Sequence, residues 1–350
     1  MCLWFIVDDA PDWGAGLVRF LTGSGPNTVT GGRRMTVTPR FLARRRIFPL
    51  IVILAWLAGT AQRSIGQELT RANANAPIHI EVRDAQGSRV AGPADQAGSA
   101  SGAELAFDRV YQPGDRILFG GPQRMALRVD DSMPDCLIYA PLGSSGALSY
   151  EIPFGREEKQ TGSAYAPESF AGGSHRISIR PLKKQEISEY RNLALNPCDL
   201  LRSDDSSVQF FPHASSNSVS RSLFDFEARN AIDGRIENGH HGVWPYQSWG
   251  PQLRTDIWWR VDFGRPVEVD KIRLMVRADF PHDSYWKSAD VEFSDGSRVP
   301  LQISSSPEFQ DYSFSRRRVT WLRITNVVPA DPAKWCSFIE VEAWGKDLRK

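Results

Sequence analysis

Few residues of this sequence offer covalent or redox chemistry, since cysteine occurs only four times in 350 residues. None of the cysteines has C-x-x-C spacing, which disfavours a zinc knuckle or a redox pair. G-x-S-x-G, H-E-x-x-H and phosphate-binding glycine loops are also missing. These motifs mark common hydrolases, metalloproteases and nucleotide-binding enzymes. The formal net charge is +1, which leaves no basic field for nucleic acid. The absences favour a non-catalytic protein that does not bind nucleic acid.

Long hydrophobic runs are missing too, because the run at 47–61 is shorter than the roughly 20 residues of a membrane-spanning helix. Arginines precede this run, and Gly59 and Ala61, at its end, occupy the −3 and −1 positions of a cleavage site. This anatomy predicts a secretory signal cleaved after Ala61, or less favourably after Gly66, in preference to an uncleaved anchor or a buried helix. We therefore expect a secreted, periplasmic or cell-surface protein.

Tryptophan is absent from residues 62–243, whereas eight of the eleven tryptophans lie from Trp244 to Trp344. This asymmetry predicts two modules of different chemistry.

Residues 1–34 form a leader in front of the signal segment. We interpret this leader as the result of a start codon assigned too far upstream, with Met35 as the native first residue. The expected segments are a leader at 1–34, a signal peptide at 35–66, a linker at 67–76, an N-terminal β-sandwich at 77–183, a helical connector at 184–190, a second β-sandwich at 191–345 and a tail at 346–350.

Short runs of alternating apolar and polar residues, separated by turn residues, occur in both modules. Ile78, Ile80 and Val82 share one face of a predicted strand, and Trp259 and Val261 share one face of another. The same alternation recurs at 117–119, 125–129, 136–139, 177–179, 272–278, 289–293, 322–324 and 339–343. Good helix formers at 184–190 predict one short helix. Without heptads or βαβ alternation, the predicted fold class is all-β, with two β-sandwich modules.

Six short motifs follow one another through the second module. They are NLA at 192–194, ASS at 214–216, NAIDG at 230–234, WRVDFG at 259–264, FSDGS at 293–297 and IEVEAWG at 339–345. In this order and spacing they resemble the discoidin family, or factor V/VIII C-type domains, which overlaps family 32 carbohydrate-binding modules. The resemblance implies a galactose-binding-like jelly roll whose loops at one end bind a ligand, often a sugar.

The family often holds a structural calcium ion between an aspartate loop and a carboxylate near the last strand. The resemblance places Asp233 and Glu340 at those positions, and Asn230 is expected to add a carbonyl oxygen. Calcium takes six to eight oxygens, so backbone and water would supply most of them. The alternative is that Asp233 only caps the tight turn that it forms with Gly234.

Two loops, at 240–250 and 277–286, are dense in aromatic, imidazole, carboxylate and amide groups. Aromatic faces stack on sugar C–H groups, while the polar groups bind hydroxyls. Each aromatic ring in these loops could instead be a core residue. We assign Trp249 and Trp259 to the core. Arg277 and Asp279 are expected to point the same way, as a salt bridge or a clamp for sugar hydroxyls. The candidate ligand-binding residues are His241, Trp244, Tyr246, Gln247, Arg277, Asp279, His282, Asp283 and Trp286.

Three cysteines follow the signal, at positions 136, 198 and 336, and export permits one disulfide among them. In the discoidin family a bridge often ties the two ends of the domain together. The resemblance therefore implies a Cys198–Cys336 pair, although these positions do not match that motif closely.

The expected function is binding of glycan or cell-surface polysaccharide by an exported, non-catalytic protein. One alternative is a structural or adhesion role with a protein or lipid partner, but the loops are too charged to favour membrane contact. The other is a carbohydrate-active enzyme in which Asp279, Asp283 and His282 form an acid/base cluster.

Overall fold

The computed structural model describes residues 77–92, 99–142, 146–154, 164–200, 210–222 and 224–348. The predicted leader, signal peptide and linker lie outside these residues. Within the described ranges, no helix combines the length and the apolar character that crossing a membrane requires.

The first module consists of two four-stranded antiparallel sheets. Its strands are β1 (His79–Arg83), β2 (Arg89–Ala91), β3 (Ala103–Asp108), β4 (Arg116–Gly120), β5 (Arg124–Arg128), β6 (Cys136–Tyr139), β7 (Ala147–Glu151) and β8 (Ser174–Pro181). One sheet has the order β2-β1-β4-β7 and the other β3-β8-β5-β6. Alternate residues such as Ile80, Ile117 and Ile177 are buried in a core that both sheets share, which makes this module a β-sandwich.

The second module is built on one seven-stranded antiparallel sheet, which a short helix precedes. The elements are α1 (Lys184–Ser188), β9 (Arg191–Asn192), β10 (His213–Ser216), β11 (Trp259–Val276), β12 (Trp286–Phe293), β13 (Arg298–Gln302), β14 (Gln310–Pro329) and β15 (Phe338–Asp347), with 3-10 helices at Ser220–Ser222, Phe224–Phe226 and Ala228–Ala231. The order is β13-β12-β14-β11-β15-β9, and β10 also pairs with β11.

The long strand β11 changes partners along its length and bends at an irregular pairing, as bulged strands do. Its first part pairs with β10 and its second part with β15, and its register against β14 shifts between Asp262 and Val267. Gly264 lies in this bend with φ +66°, where a Cβ atom would collide with the ring of Phe211. Only glycine satisfies both the positive φ and the close approach.

The all-β class and the predicted alternation are confirmed. Trp259, Val261 and Phe263 all point into the core of the second module. The helix is also confirmed, although it ends at Ser188 because Glu189 is extended. β15 continues to Asp347, two residues into the predicted tail. The division of the chain into its seven segments remains a prediction.

The one disulfide among the described residues joins Cys136 in β6 to Cys198, with Cα atoms 6.1 Å apart. The Cys198–Cys336 pair that the family resemblance implied is therefore wrong. Cys198 packs into the core of the first module, whereas Cys336 is a buried free thiol in the core of the second. The bridge consequently crosslinks the first module to the segment that begins the second.

Candidate functional site

Several loops meet at one end of the second module. Residues 277–285 connect β11 to β12, and residues 330–337 connect β14 to β15. Two backbone hydrogen bonds join these loops, from Ser284 N to Trp335 O at 2.7 Å and from Arg277 N to Ser337 O at 3.1 Å. They border a small cavity, the loop cleft, which is lined by Ser220, Arg221, Phe226, His241, Gly250, Arg277, His282, Trp335 and Ser337.

Arg277 and Asp283 form a buried, bidentate ion pair beside the loop cleft. The Arg277 Nε and Nη2 atoms lie 2.5 and 2.9 Å from the two carboxylate oxygens of Asp283. Each residue is only 3% exposed. The predicted clamp between Arg277 and Asp279 is therefore wrong. The chain turns after β11, with Asp283 N donating to Asp279 O at 2.8 Å, and this turn brings Asp283 to the guanidinium.

Asp279 instead lies among three histidines, and we call these four residues the histidine cluster. Its Oδ2 atom is 2.7 Å from His241 Nδ1, 3.6 Å from His240 Nδ1 and 3.9 Å from His282 Nδ1. The His241 and His282 rings stack in parallel, 4.5 Å apart. The hydrogen bond from His241 lowers the pKa of the Asp279 carboxyl, which keeps this oxygen ionised.

Trp286 belongs to the core, so its predicted role as a stacking face for sugar is wrong. It is 3% exposed, and its ring centroid lies 4.6 Å from that of Phe338 and 5.5 Å from that of Trp249. Apart from the imidazoles, the described lining of the loop cleft contains two aromatic rings, Phe226 and Trp335. Phe226 is buried, whereas Trp335 is half-buried and partly accessible. Sequence reasoning missed Trp335 and also Arg221, which is exposed in a short 3-10 helix.

Trp244 and Gln247 line a different cavity, the module cleft, of about 220 Å³. Residues of both modules border it, including Tyr165 from the first. Trp244 is half-buried below the guanidinium of Arg235, at 5.3 Å. The remaining predicted residue, Tyr246, lies with its ring 5.4 Å from that of His240. The predicted ligand-binding residues thus divide between two clefts, the histidine cluster and the core.

Asp233 and Glu340, which the family resemblance placed together, are both buried and lie close to each other. Glu340 Oε2 accepts a hydrogen bond from Gly234 N at 3.2 Å, and Asp233 Oδ2 accepts one from Gln247 Nε2 at 2.8 Å. The Oε1 atoms of Glu340 and Gln247 are buried without a hydrogen-bond partner among the described residues. Burial raises the pKa of Glu340 well above its usual range, and the charge of Asp233 adds to this effect.

The third predicted metal ligand, Asn230, has its side chain committed elsewhere. Its Oδ1 atom accepts a hydrogen bond from Arg229 Nη1 at 3.1 Å, and its Nδ2 atom donates to Phe224 O at 2.7 Å. Asn230 would therefore have to reach a cation through its backbone carbonyl. Arg229 Nη1 also lies 3.8 Å from Asp233 Oδ2, so the guanidinium already balances part of the Asp233 charge.

No protein-family model and no curated protein matches this chain. Solved structures are similar over part of it. Chitosan-binding module 1 of a chitosanase/glucanase from Paenibacillus sp. IK-5 is 21% identical, over 44% of this chain and 98% of that one, with a TM-score of 0.31. A Streptococcus pneumoniae fucose binding module, SpX-3, is 18% identical over 45% and 98%, with a TM-score of 0.32. The family 32 module of C. perfringens NanJ, in complex with galactose, is 16% identical over 37% and 91%, with a TM-score of 0.30. At these values the similarities do not transfer a ligand to this chain.

Proposed function

We propose that this protein binds carbohydrate in the loop cleft, through a C-terminal module of the discoidin type. The observation that carries the proposal is the half-buried Trp335 ring beside the buried Arg277–Asp283 pair. An aromatic face and a fixed guanidinium next to it are the two groups that a pyranose needs for stacking and for hydroxyl hydrogen bonds. His241 and the exposed Arg221 add further polar groups at the edge of the cleft.

The pairing with Asp283 supports this function because it fixes the guanidinium before any ligand arrives. Two nitrogens of Arg277 bind the carboxylate, and the third, Nη1, has only a weak contact with Ser248 Oγ at 3.4 Å. Nη1 of Arg277, a residue that lines the cleft, therefore retains donor capacity. Sugar hydroxyls exchange hydrogen bonds with water for hydrogen bonds with protein, so the net gain is small. We expect micromolar to millimolar affinity, about −4 to −8 kcal/mol.

Catalysis by the same loops is disfavoured by the state of the two candidate carboxylates. Asp283 is held at both oxygens by Arg277, and Asp279 is held by His241 with a lowered pKa. A general acid requires the opposite, a carboxyl whose pKa is raised. A glycan array on the mature protein tests the binding proposal, and an assay for new reducing ends on the same glycans separates a binder from a glycosidase.

A lipid partner is the second candidate, because two apolar side chains lie exposed in the same loops. Val243 is 61% exposed and Phe280 is 40% exposed. Both are flanked by the charged and imidazole groups of the histidine cluster, which opposes deep insertion into a bilayer. Sedimentation with liposomes, together with no signal on the glycan array, would favour this candidate over carbohydrate.

We further propose that Asp233 and Glu340 hold a structural calcium ion. The unpaired Oε1 atoms of Glu340 and Gln247 support this, since buried oxygens without partners are rare and a cation would satisfy them. Asp233 and Glu340 are buried together beside one guanidinium, that of Arg229, and a bound cation would favour the ionised form of both carboxylates. Backbone and water oxygens would complete the coordination.

Chelation of calcium should lower the thermal midpoint of the wild-type protein. An ion that binds only the folded state stabilises it by about 2.7 kcal/mol at one hundred times its Kd. Glu340→Gln should abolish the response to calcium and to chelator, while Glu342→Gln, two residues along β15, should retain it. A thermal midpoint of the wild type that does not change with calcium would contradict the calcium proposal. A response to calcium in Glu340→Gln equal to that of the wild type would also contradict it.

We also infer that the protein is exported. The basic flank and short apolar run of the signal segment support this inference. The disulfide Cys136–Cys198 adds to it, because such bonds persist in oxidising compartments.

A further inference from the structure

The histidine cluster has a geometry that sugar binding does not require. Three imidazole Nδ1 atoms lie 2.7, 3.6 and 3.9 Å from a single carboxylate oxygen of Asp279. The candidate ligand atoms of His240, His241 and Asp279 all lie within 4.8 Å of one another. Ligand atoms around a tetrahedral zinc ion are roughly 3.3 Å apart, given bonds of about 2.0–2.1 Å. The distances from the Asp279 oxygen to the imidazole nitrogens, 2.7 to 3.9 Å, lie on both sides of that value.

Backbone contacts build this arrangement from two loops that are distant in sequence. Ala278 N donates to Asn238 O at 2.8 Å, which fastens the segment before the two adjacent histidines to the residue before Asp279. The turn closed by Asp283 N and Asp279 O then brings His282 back toward the same oxygen. The cluster is therefore positioned by the chain on both sides of it.

The charge around Asp279 also favours a cation. Among the described residues, the ion-pair partners of this carboxylate are three histidines and no arginine or lysine. Its neighbour Asp283 differs, because Arg277 already neutralises that carboxylate. Imidazole and carboxylate together suit zinc and other divalent transition metals, whereas calcium prefers oxygen ligands alone. The chemistry of this site thus differs from that of the Asp233 and Glu340 pair.

We propose that His240, His241 and Asp279 bind a divalent transition metal ion of the zinc class. Water supplies the fourth ligand, because the His282 ring is stacked parallel to that of His241 and two stacked rings do not direct their nitrogen lone pairs at one ion. The site lies beside the loop cleft, and it stands whether or not that cleft binds carbohydrate.

The test is calorimetric titration of the full protein with Zn²⁺, without any glycan, followed by Co²⁺ titration to record the absorption of a four-coordinate ion. We expect one ion per chain. His240→Ala and Asp279→Asn should each weaken binding at least tenfold. The His240 side chain is 64% exposed, so its truncation should leave the fold intact, as a melting curve will verify.

The matched control is His79→Ala, since His79 lies on β1 of the first module, away from the cluster. This variant should bind zinc like the wild type. Absence of stoichiometric zinc binding would overturn the proposal. So would wild-type affinity in both His240→Ala and Asp279→Asn, or an equal loss in His79→Ala, because the ion would then bind elsewhere.

Discussion

Trp286→Ala is expected to lower the free energy of unfolding by about 3–5 kcal/mol, the usual range for deleting a large buried aromatic side chain. The ring is 3% exposed and packs between Trp249 and Phe338, so its removal leaves a cavity in the core of the second module. Urea denaturation of the wild type and the variant measures the loss. Trp335→Ala is the matched control, because its half-buried ring lies in the loop cleft and its truncation should change stability by less than about 1 kcal/mol.

The opposite pattern would contradict this assignment. If Trp286→Ala kept wild-type stability but lost a measured sugar affinity, its ring would be a binding face after all, and the packing around Phe338 would be incorrect.

Loss of the Cys136–Cys198 disulfide is expected to lower stability by about 4 kcal/mol, because the bond closes a loop between residues 62 apart in sequence and restricts the unfolded chain. The thermal midpoint of the wild type should fall in the presence of reductant. The double variant Cys136→Ser, Cys198→Ser should start from the lower midpoint and show no further change. Cys336→Ala should keep the full response to reductant, since that thiol is free.

Equal midpoints with and without reductant would argue against the bond, and mass spectrometry locates the thiols directly. Free thiols at both Cys136 and Cys198 in protein isolated from its native compartment would contradict the disulfide and would weaken the inference of export as well.

The strands were predictable from the sequence because successive side chains of a half-buried strand alternate between the core and the solvent. Apolar and polar residues therefore alternate along the sequence. Trp259, Val261 and Phe263 illustrate this. The neighbouring pair Arg277 and Asp279 shows where the rule ends. β11 stops at Val276, so the two residues lie in a loop, where alternate residues no longer share a face.

No comparable pattern in the sequence predicts which distant loops contact each other. The proximity of Asp233 and Glu340 was predictable only because each occurs in a family motif. Trp335 occurs in none, and it reaches the cleft through a backbone hydrogen bond to Ser284. The convergence of His240 on Asp279, 39 positions later in the sequence, likewise depends on the path of two loops. The spacing and composition of the residues do not predict the path of a loop.

The central claim, carbohydrate binding in the loop cleft, is tested most directly by titrating one glycan that the array identifies into two tryptophan variants. Trp335→Ala should weaken binding tenfold or more, about 1.4 kcal/mol, with its melting temperature nearly unchanged. Trp321→Ala is the control, because that half-buried ring lies under the guanidinium of Arg260, at 4.5 Å. The Trp321 backbone binds Ser294, just past the end of β12 that is remote from the cleft, and the affinity of this variant should match the wild type. Wild-type affinity in Trp335→Ala, or no glycan bound by the wild type at all, would contradict the account.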